Sequence, residues 1–186
     1  MFTNIVRFER NKCLPTLLGG YRQEKKTWQF AAIFAQDVFE GFDSRMETCA
    51  VAIDLEDAYN RVSLDILMDQ LLNLAVNPFV VWWVGAVLMH RIIVLKYGNL
   101  VSAPTVISPG LPQGSSVSPV LFNVYTVHIT STQITGAGRT MSYADDILVY
   151  MQGRHREECV VELQKELDRQ IGVEIREQWL ILLRHS

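Results

Sequence analysis

Met141-Ser142-Tyr143-Ala144-Asp145-Asp146-Ile147-Leu148-Val149-Tyr150 sets two adjacent carboxylates between an aromatic step and a run of Ile, Leu, Val and Tyr. The run has strand composition and the Met-Ser-Tyr lead-in can form the arm before it. The stretch therefore predicts a β-hairpin with Asp145 and Asp146 at its turn. Successive strand side chains point to opposite faces, so a bend is needed before both carboxylates can approach one site. Aspartate is also a common turn residue, and alone the stretch reads first as a plain surface hairpin.

Upstream, Thr48-Cys49-Ala50-Val51-Ala52-Ile53-Asp54-Leu55 is an almost continuous apolar run that ends on a carboxylate. Such a run predicts a central strand covered on both faces. Asp54 then lies at the strand's carboxyl end, where ligand sites of layered α/β structures collect. The competing role is a cap on the helical turn Glu56-Asp57-Ala58-Tyr59-Asn60. Glu56 and Asp57 read as solvated. Between the two carboxylate sites lies Ser108-Pro109-Gly110-Leu111-Pro112-Gln113-Gly114-Ser115-Ser116-Val117-Ser118-Pro119. Gly114 permits close backbone approach to a ligand, Gln113 offers a donor and an acceptor, and a helix is expected from Val120 to Thr130. A Pro/Gly loop with no ligand is the plain alternative.

The 186 residues are 49% hydrophobic and 20% charged, within the range of one globular domain able to bury a core. No apolar run approaches the ~20 residues of a membrane span; Phe79–Met89 reads as a buried helix. Residues 1–10 lack an apolar signal core, and Cys13, Cys49 and Cys159 have no zinc spacing, so a reduced intracellular protein is expected. The net charge of −3 counts against binding nucleic acid by general positive charge.

Helical spacing predicts an amphipathic helix over 25–42, with Trp28, Ala31, Ala32, Ala35, Val38 and Phe39 inward and Gly41 at its end. Leu18-Gly19-Gly20-Tyr21 reads as a loop. Ser63 caps a helix to Ala75 that turns Leu64, Leu67, Met68, Leu71 and Leu72 inward, and Asn77-Pro78 opens another. Residues 91–97 and 101–107 read as strands joined at Gly98-Asn99, the second an edge strand because of Pro104. Residues 154–171 predict an amphipathic helix over the sheet. Residues 173–186 read as an edge strand or as frayed.

Asp54 and Asp145 stand 91 residues apart (54 to 145), so only tertiary folding can unite them. If it does, three hard oxygen ligands meet, which implies divalent metal, Mg²⁺ foremost. Two such ions about 4 Å apart form the clamp of in-line nucleotidyl transfer. Taken together, Ala52-Ile53-Asp54-Leu55-Glu56-Asp57-Ala58-Tyr59, Gly110-Leu111-Pro112-Gln113-Gly114-Ser115, Ser118-Pro119-Val120-Leu121-Phe122-Asn123 and Tyr143-Ala144-Asp145-Asp146 resemble motifs A, B and C of reverse transcriptases. The resemblance is to the non-LTR (LINE-type) retrotransposon class and runs from about Leu14 through the helix near Leu167.

That resemblance implies an α+β right-hand polymerase palm, a small antiparallel sheet backed by helices. It implies one reverse-transcriptase-like domain over 1–186, with a palm core of about 46–171, a partial fingers and palm helix over 1–45, and an unassigned tail over 172–186. Asp54, Asp145 and Asp146 would be the catalytic carboxylates and hold two Mg²⁺ ions, with Mn²⁺ as an alternative, and the Leu55 carbonyl would add a ligand. Gln113 and Gly114 would line the nucleotide sugar and the templating pair. Tyr59 would exclude a 2′-hydroxyl, although ordinary helix packing also accounts for it. RNA template, DNA primer and dNTPs are the implied partners, without a membrane. Ser116 stands where the family often has proline, and Asn60 where aspartate is common. Basic fingers, primer grip and thumb are not evident, so weak or no polymerisation by the isolated chain is expected. A non-catalytic retroelement remnant, at most a nucleic-acid-binding or scaffold piece, is the alternative. A nucleotidyl cyclase is disfavoured because nothing resembles a Gly-Gly-Asp/Glu-Glu-Phe loop.

Overall fold

The computed structural model describes residues 14–55, 57–89, 91–107, 110–131 and 137–170, and the backbone of 180–183. It divides into two compact units, Met1–Glu56 with Thr126–Ser186, and Asp57–Tyr125. The first unit holds β1 (Leu18–Gly19), α1 (Thr27–Asp43) and β2 (Glu47–Asp54). It continues with α5 (Val127–Ser131), β7 (Gly138–Tyr143), β8 (Asp146–Gly153), α6 (Arg156–Gln170) and β9 (Leu180–Leu183). The second holds α2 (Leu64–Asn73), α3 (Pro78–Leu88), β3 (Arg91–Ile93), β4 (Lys96–Tyr97), β5 (Leu100–Val101), β6 (Thr105–Ile107) and α4 (Ser118–Tyr125).

In the first unit five strands run in the order β1-β7-β8-β2-β9. The β7–β8, β8–β2 and β2–β9 pairs are antiparallel, and β1 adds parallel to β7. Residues 18–19, expected in a loop, thus form a short edge strand, and the Ser142 N–H donates to the Leu17 carbonyl beside it at 2.9 Å. Arg22 Nη1 donates to the carbonyls of Pro15 and Leu18, which folds the following turn back on this edge. The tail of the chain, ambiguous in sequence, contributes edge strand β9.

Strand β2 is covered on both faces, as its apolar run predicts. Cys49, Val51, Ile147, Val149 and Met151 pack on Cys159, Leu163 and Leu167 of α6, with Ile129 of α5. On the other face Ala50, Met141 and Tyr150 pack on Phe30 of α1, with Ile33, Phe34 and Leu148 partly buried around them. The inward face of α1 differs from the expected one. Trp28 and Phe39 are 65% and 63% exposed, whereas Phe30 and Gly41 are buried; Val38 is buried as expected. The reason is a polar contact. The Tyr150 hydroxyl, buried at this interface, donates to the Asp37 carboxylate, and Arg139 Nε lies 3.0 Å from the same carboxylate. Gln152 Nε2 donates to the Asp37 carbonyl at 2.7 Å and Thr48 Oγ1 at 3.0 Å. Buried polar groups need such partners, so the helix turns an aspartate inward. Gly41, expected to end α1, lies within it, and a Cβ there would meet the Gln152 side chain.

In the second unit α2 packs against α3 and α4. Asn77 caps α3 by accepting from the Phe79 N–H at 2.9 Å, with Pro78 at the first position. The helix expected to be buried is buried on one side only: Val81, Val84, Gly85 and Leu88 are inward, and Phe79 and Trp82 are on the surface. Leu72 of α2, expected inward, is also exposed. The expected long hairpin is two shorter ribbons, β3 with β6 and β4 with β5 about Gly98-Asn99. Helix α4 starts two residues earlier than expected and ends at Tyr125, with α5 a separate turn. No described helix is long and apolar enough to cross a membrane.

Leu163 is fully buried between α6 and the sheet, whereas Val161 on the same helix is half exposed. Urea denaturation should show Leu163→Ala losing about 2–5 kcal/mol and Val161→Ala staying within about 0.5 kcal/mol of the parent.

Candidate active site

The β2–β8 register places Asp54 directly opposite Asp146, and the β7–β8 register places Tyr143 opposite Asp146. Facing residues of an antiparallel pair have Cα atoms about 4.5–5.5 Å apart, so two carboxylates 92 positions apart in sequence (54 to 146) become neighbours. Ala144 and Asp145 form the two-residue loop between Tyr143 and Asp146. The alternation that separates adjacent aspartates in a strand does not bind Asp145, because it stands in the turn. Ala144 has φ +57°, the left-handed region that tight hairpin loops use.

Gly20 lies against this turn. Its φ is +76°, and a Cβ would collide with the backbone of Ala144. The loop reading of residues 18–21 missed this support, although a Gly-Gly pair beside a short strand is the available signal.

Asp54, Asp145 and Asp146 are all exposed. Partial burial, then the charge of Asp145, then that of Asp54, push Asp146 above the ordinary aspartate value of 3.8. Thr27, Phe30, Ala31 and Phe34 of α1 wall a cavity of about 400 Å³ whose sheet side includes Ala52, Asp54, Tyr143, Asp146 and Leu148. The low-dielectric wall explains why the charged form of Asp146 is disfavoured.

The donor chemistry suits a hard divalent cation, because all three groups are carboxylates and their mutual repulsion is relieved by positive charge. Yet among the described residues no three His, Cys, Asp or Glu side chains are gathered closely enough to hold a metal ion. The backbone brings the positions together, but the three carboxylates do not form one such group. Leu55 follows β2 directly, and its side chain packs on the α6 side of the sheet.

The other expected site residues belong to the Asp57–Tyr125 unit. The Tyr59 ring stacks on Phe122, with centroids 5.1 Å apart and planes 7° apart. The Tyr59 carbonyl accepts from the Leu111 N–H at 2.8 Å. Gln113 and Gly114 are exposed in the loop; Gly114 has φ +84°, and nothing lies within 4 Å of where its Cβ would be. Ser118 Oγ donates to the Pro112 carbonyl at 2.7 Å and braces the loop against the start of α4. Asn60 donates to the Asp57 carboxylate at 2.7 Å.

A family model described as "Reverse transcriptase (RNA-dependent DNA polymerase)" matches residues 4–178. A probable RNA-directed DNA polymerase from transposon BS of Drosophila melanogaster is 27% identical over 169 residues, 88% of this chain and 18% of that protein. The chain thus spans less than a fifth of that relative. Among solved structures, apo telomerase from Candida tropicalis, truncated from its C-terminal domain, matches with a TM-score of 0.64 at 9% identity. That match covers 98% of this chain and 39% of the other. Telomerase from Candida albicans, in complex with a TWJ fragment of telomeric RNA, matches with a TM-score of 0.56 at 12% identity, covering 98% and 34%. At such identities the likeness speaks for fold alone, and the fold is of the right-hand polymerase type.

Asp146 binds its proton more tightly when folded than when unfolded. Its contribution to stability therefore falls as pH rises from 3.8 through its raised value. In a chelator, carboxyl NMR titration should show Asp145→Asn lowering the Asp146 pKa more than Asp54→Asn does, with burial leaving a residual rise in both. Asp146→Asn should flatten the decline of stability across that window.

Proposed function

Because the chain belongs to the reverse transcriptase (RNA-dependent DNA polymerase) family, we propose that it carries the nucleotidyl-transfer palm of an RNA-directed DNA polymerase of the non-LTR retrotransposon type. The observation that carries this reading is the pairing of Asp54 with Asp146 beside the Asp145 turn. The palm core spans about residues 46–171. Asp54, Asp145 and Asp146 would hold two Mg²⁺ ions, or Mn²⁺ in their place, with the Leu55 carbonyl as a further ligand. Bound there, the ions would lower the pKa of a primer 3′-hydroxyl and neutralise the triphosphate and departing pyrophosphate.

The chain's own residues supply position. Asp54 on a central strand and Asp146 at the start of β8 are held by a continuous ladder, and Asp145 by a tight turn. Gln113 and Gly114 line the sugar and the templating pair, where the open surroundings of Gly114 leave room for a nucleotide. The Tyr59 ring fills the space a 2′-hydroxyl needs and so selects deoxynucleotides. An RNA template is supported by the family match and by the transposon polymerase relative.

One observation favours a second reading, a non-catalytic scaffold or nucleic-acid-binding piece: the side chains are not gathered as a three-ligand group. Thermal melting separates the two. Mg²⁺ should raise the melting temperature, and Asp145→Ala should remove that rise. In primer extension on an RNA template the isolated chain should add dNTPs weakly at most, and Asp54→Asn and Asp145→Asn should abolish whatever addition the parent shows without unfolding the chain. A folded chain indifferent to Mg²⁺ and adding no nucleotide leaves the second reading standing.

A further inference from the structure

We propose that Phe122 is a positioning residue for sugar discrimination, holding the ring of Tyr59 in the orientation that excludes a 2′-hydroxyl; this rests on the reading of Tyr59 above. The two rings are nearly parallel, at 7°, with centroids 5.1 Å apart. Phe122 is 1% exposed on α4, so its ring is fixed by packing, whereas Tyr59 lies half-buried in the turn after β2. A ring that discriminates by occupying space must not swing aside. Tyr59 has two free side-chain torsions, and a flat, immobile neighbour restricts both.

The backbone is held as well. The Leu111 N–H donates to the Tyr59 carbonyl at 2.8 Å. Gly110, with φ +115°, lets its loop press on Asn60, whose carbonyl oxygen would lie 2.7 Å from a Cβ. Backbone contact fixes where Tyr59 starts, and Phe122 fixes where its ring ends. The stretch Ser118-Pro119-Val120-Leu121-Phe122 thereby acquires a role that neither the metal ligands nor the loop residues supply.

The test is equilibrium binding of dATP and ATP to the chain with Mg²⁺ by calorimetry, read as the ratio of the two Kd values. The parent should prefer dATP, and Tyr59→Val should abolish the preference. Phe122→Leu, which keeps apolar volume but loses the flat face, should lower the preference about three- to tenfold. The double variant should match Tyr59→Val. In proton NMR of the free chain, Phe122→Leu should remove the upfield ring-current shift of the Tyr59 ring. Should Phe122→Leu fail to fold, Phe122→Met serves in both measurements. An unchanged ratio in a folded Phe122 variant overturns the positioning role and leaves the Tyr59 reading intact. A parent without preference, or without binding, overturns the Tyr59 reading and this role with it.

Discussion

The hydrogen-bonded ladder between β2 and β8 is the constraint on which the candidate site depends. Its eight facing pairs run from Glu47 opposite Gly153 to Asp54 opposite Asp146. A slip of one residue would send every side chain to the other face. A slip of β2 would turn Asp54 toward the α6 core and Val51 toward the α1 core. Because both faces carry a core, each side vetoes that slip independently. The register of two carboxylates is thus enforced by apolar packing up to five positions away from them, and the turn beyond is held by contact with Gly20.

The Asp57–Tyr125 unit solves a different problem, the placement of an aromatic ring and a glycine loop without a long ladder. Its ribbons are only two or three residues long, so they fix little. What fixes Tyr59 is local: a carbonyl bonded to Leu111, a backbone approach open only to glycine at position 110, and a buried phenylalanine under the ring. Order over residues 110–122 and order at residue 59 are therefore one property.

Much of this was legible in the sequence. The two strands, the hairpin, the cap at Asn77, the helix start after Ser63 and the helix after residue 154 all announce themselves by apolar period or turn chemistry, although the Ser63 side chain makes no cap hydrogen bond. The orientation of α1 did not, because a hydrophobic pattern assigns Asp37 to solvent, whereas the structure turns it inward to accept from Tyr150. No count of apolar residues anticipates a hydrogen bond to a tyrosine 113 positions away. Trp28 and Phe39 were misplaced for the same reason. The strand at Leu18–Gly19 was hidden because two residues carry no period. The pairing of Asp54 with Asp146 followed from likeness to a family rather than from periodicity, since register between distant strands leaves no local mark. Phe122 reads as core in any amphipathic scheme, and only its ring geometry sets it apart.

The inward turn of Asp37 also shapes the site. Helix α1 is tied to the sheet along its second half, where Asp37 meets Tyr150, Arg139 and Gln152, and where Gly41 admits Gln152. Toward its start, Phe30 and Phe34 meet Tyr143 and Tyr150 edge to face, at 5.7 and 5.0 Å. Edge-to-face rings pack apolar surface without filling every gap. The cavity between the helix and the carboxylate end of the sheet is lined by three of these rings, Phe30, Phe34 and Tyr143. Its wall offers Asp146 little solvation on that side, and the charges of Asp145 and Asp54 add to the cost of its charged form. The same low dielectric strengthens attraction to any cation that joins them. The polar lock far from the carboxylates and the charge frustration at them are thus two ends of one helix placement.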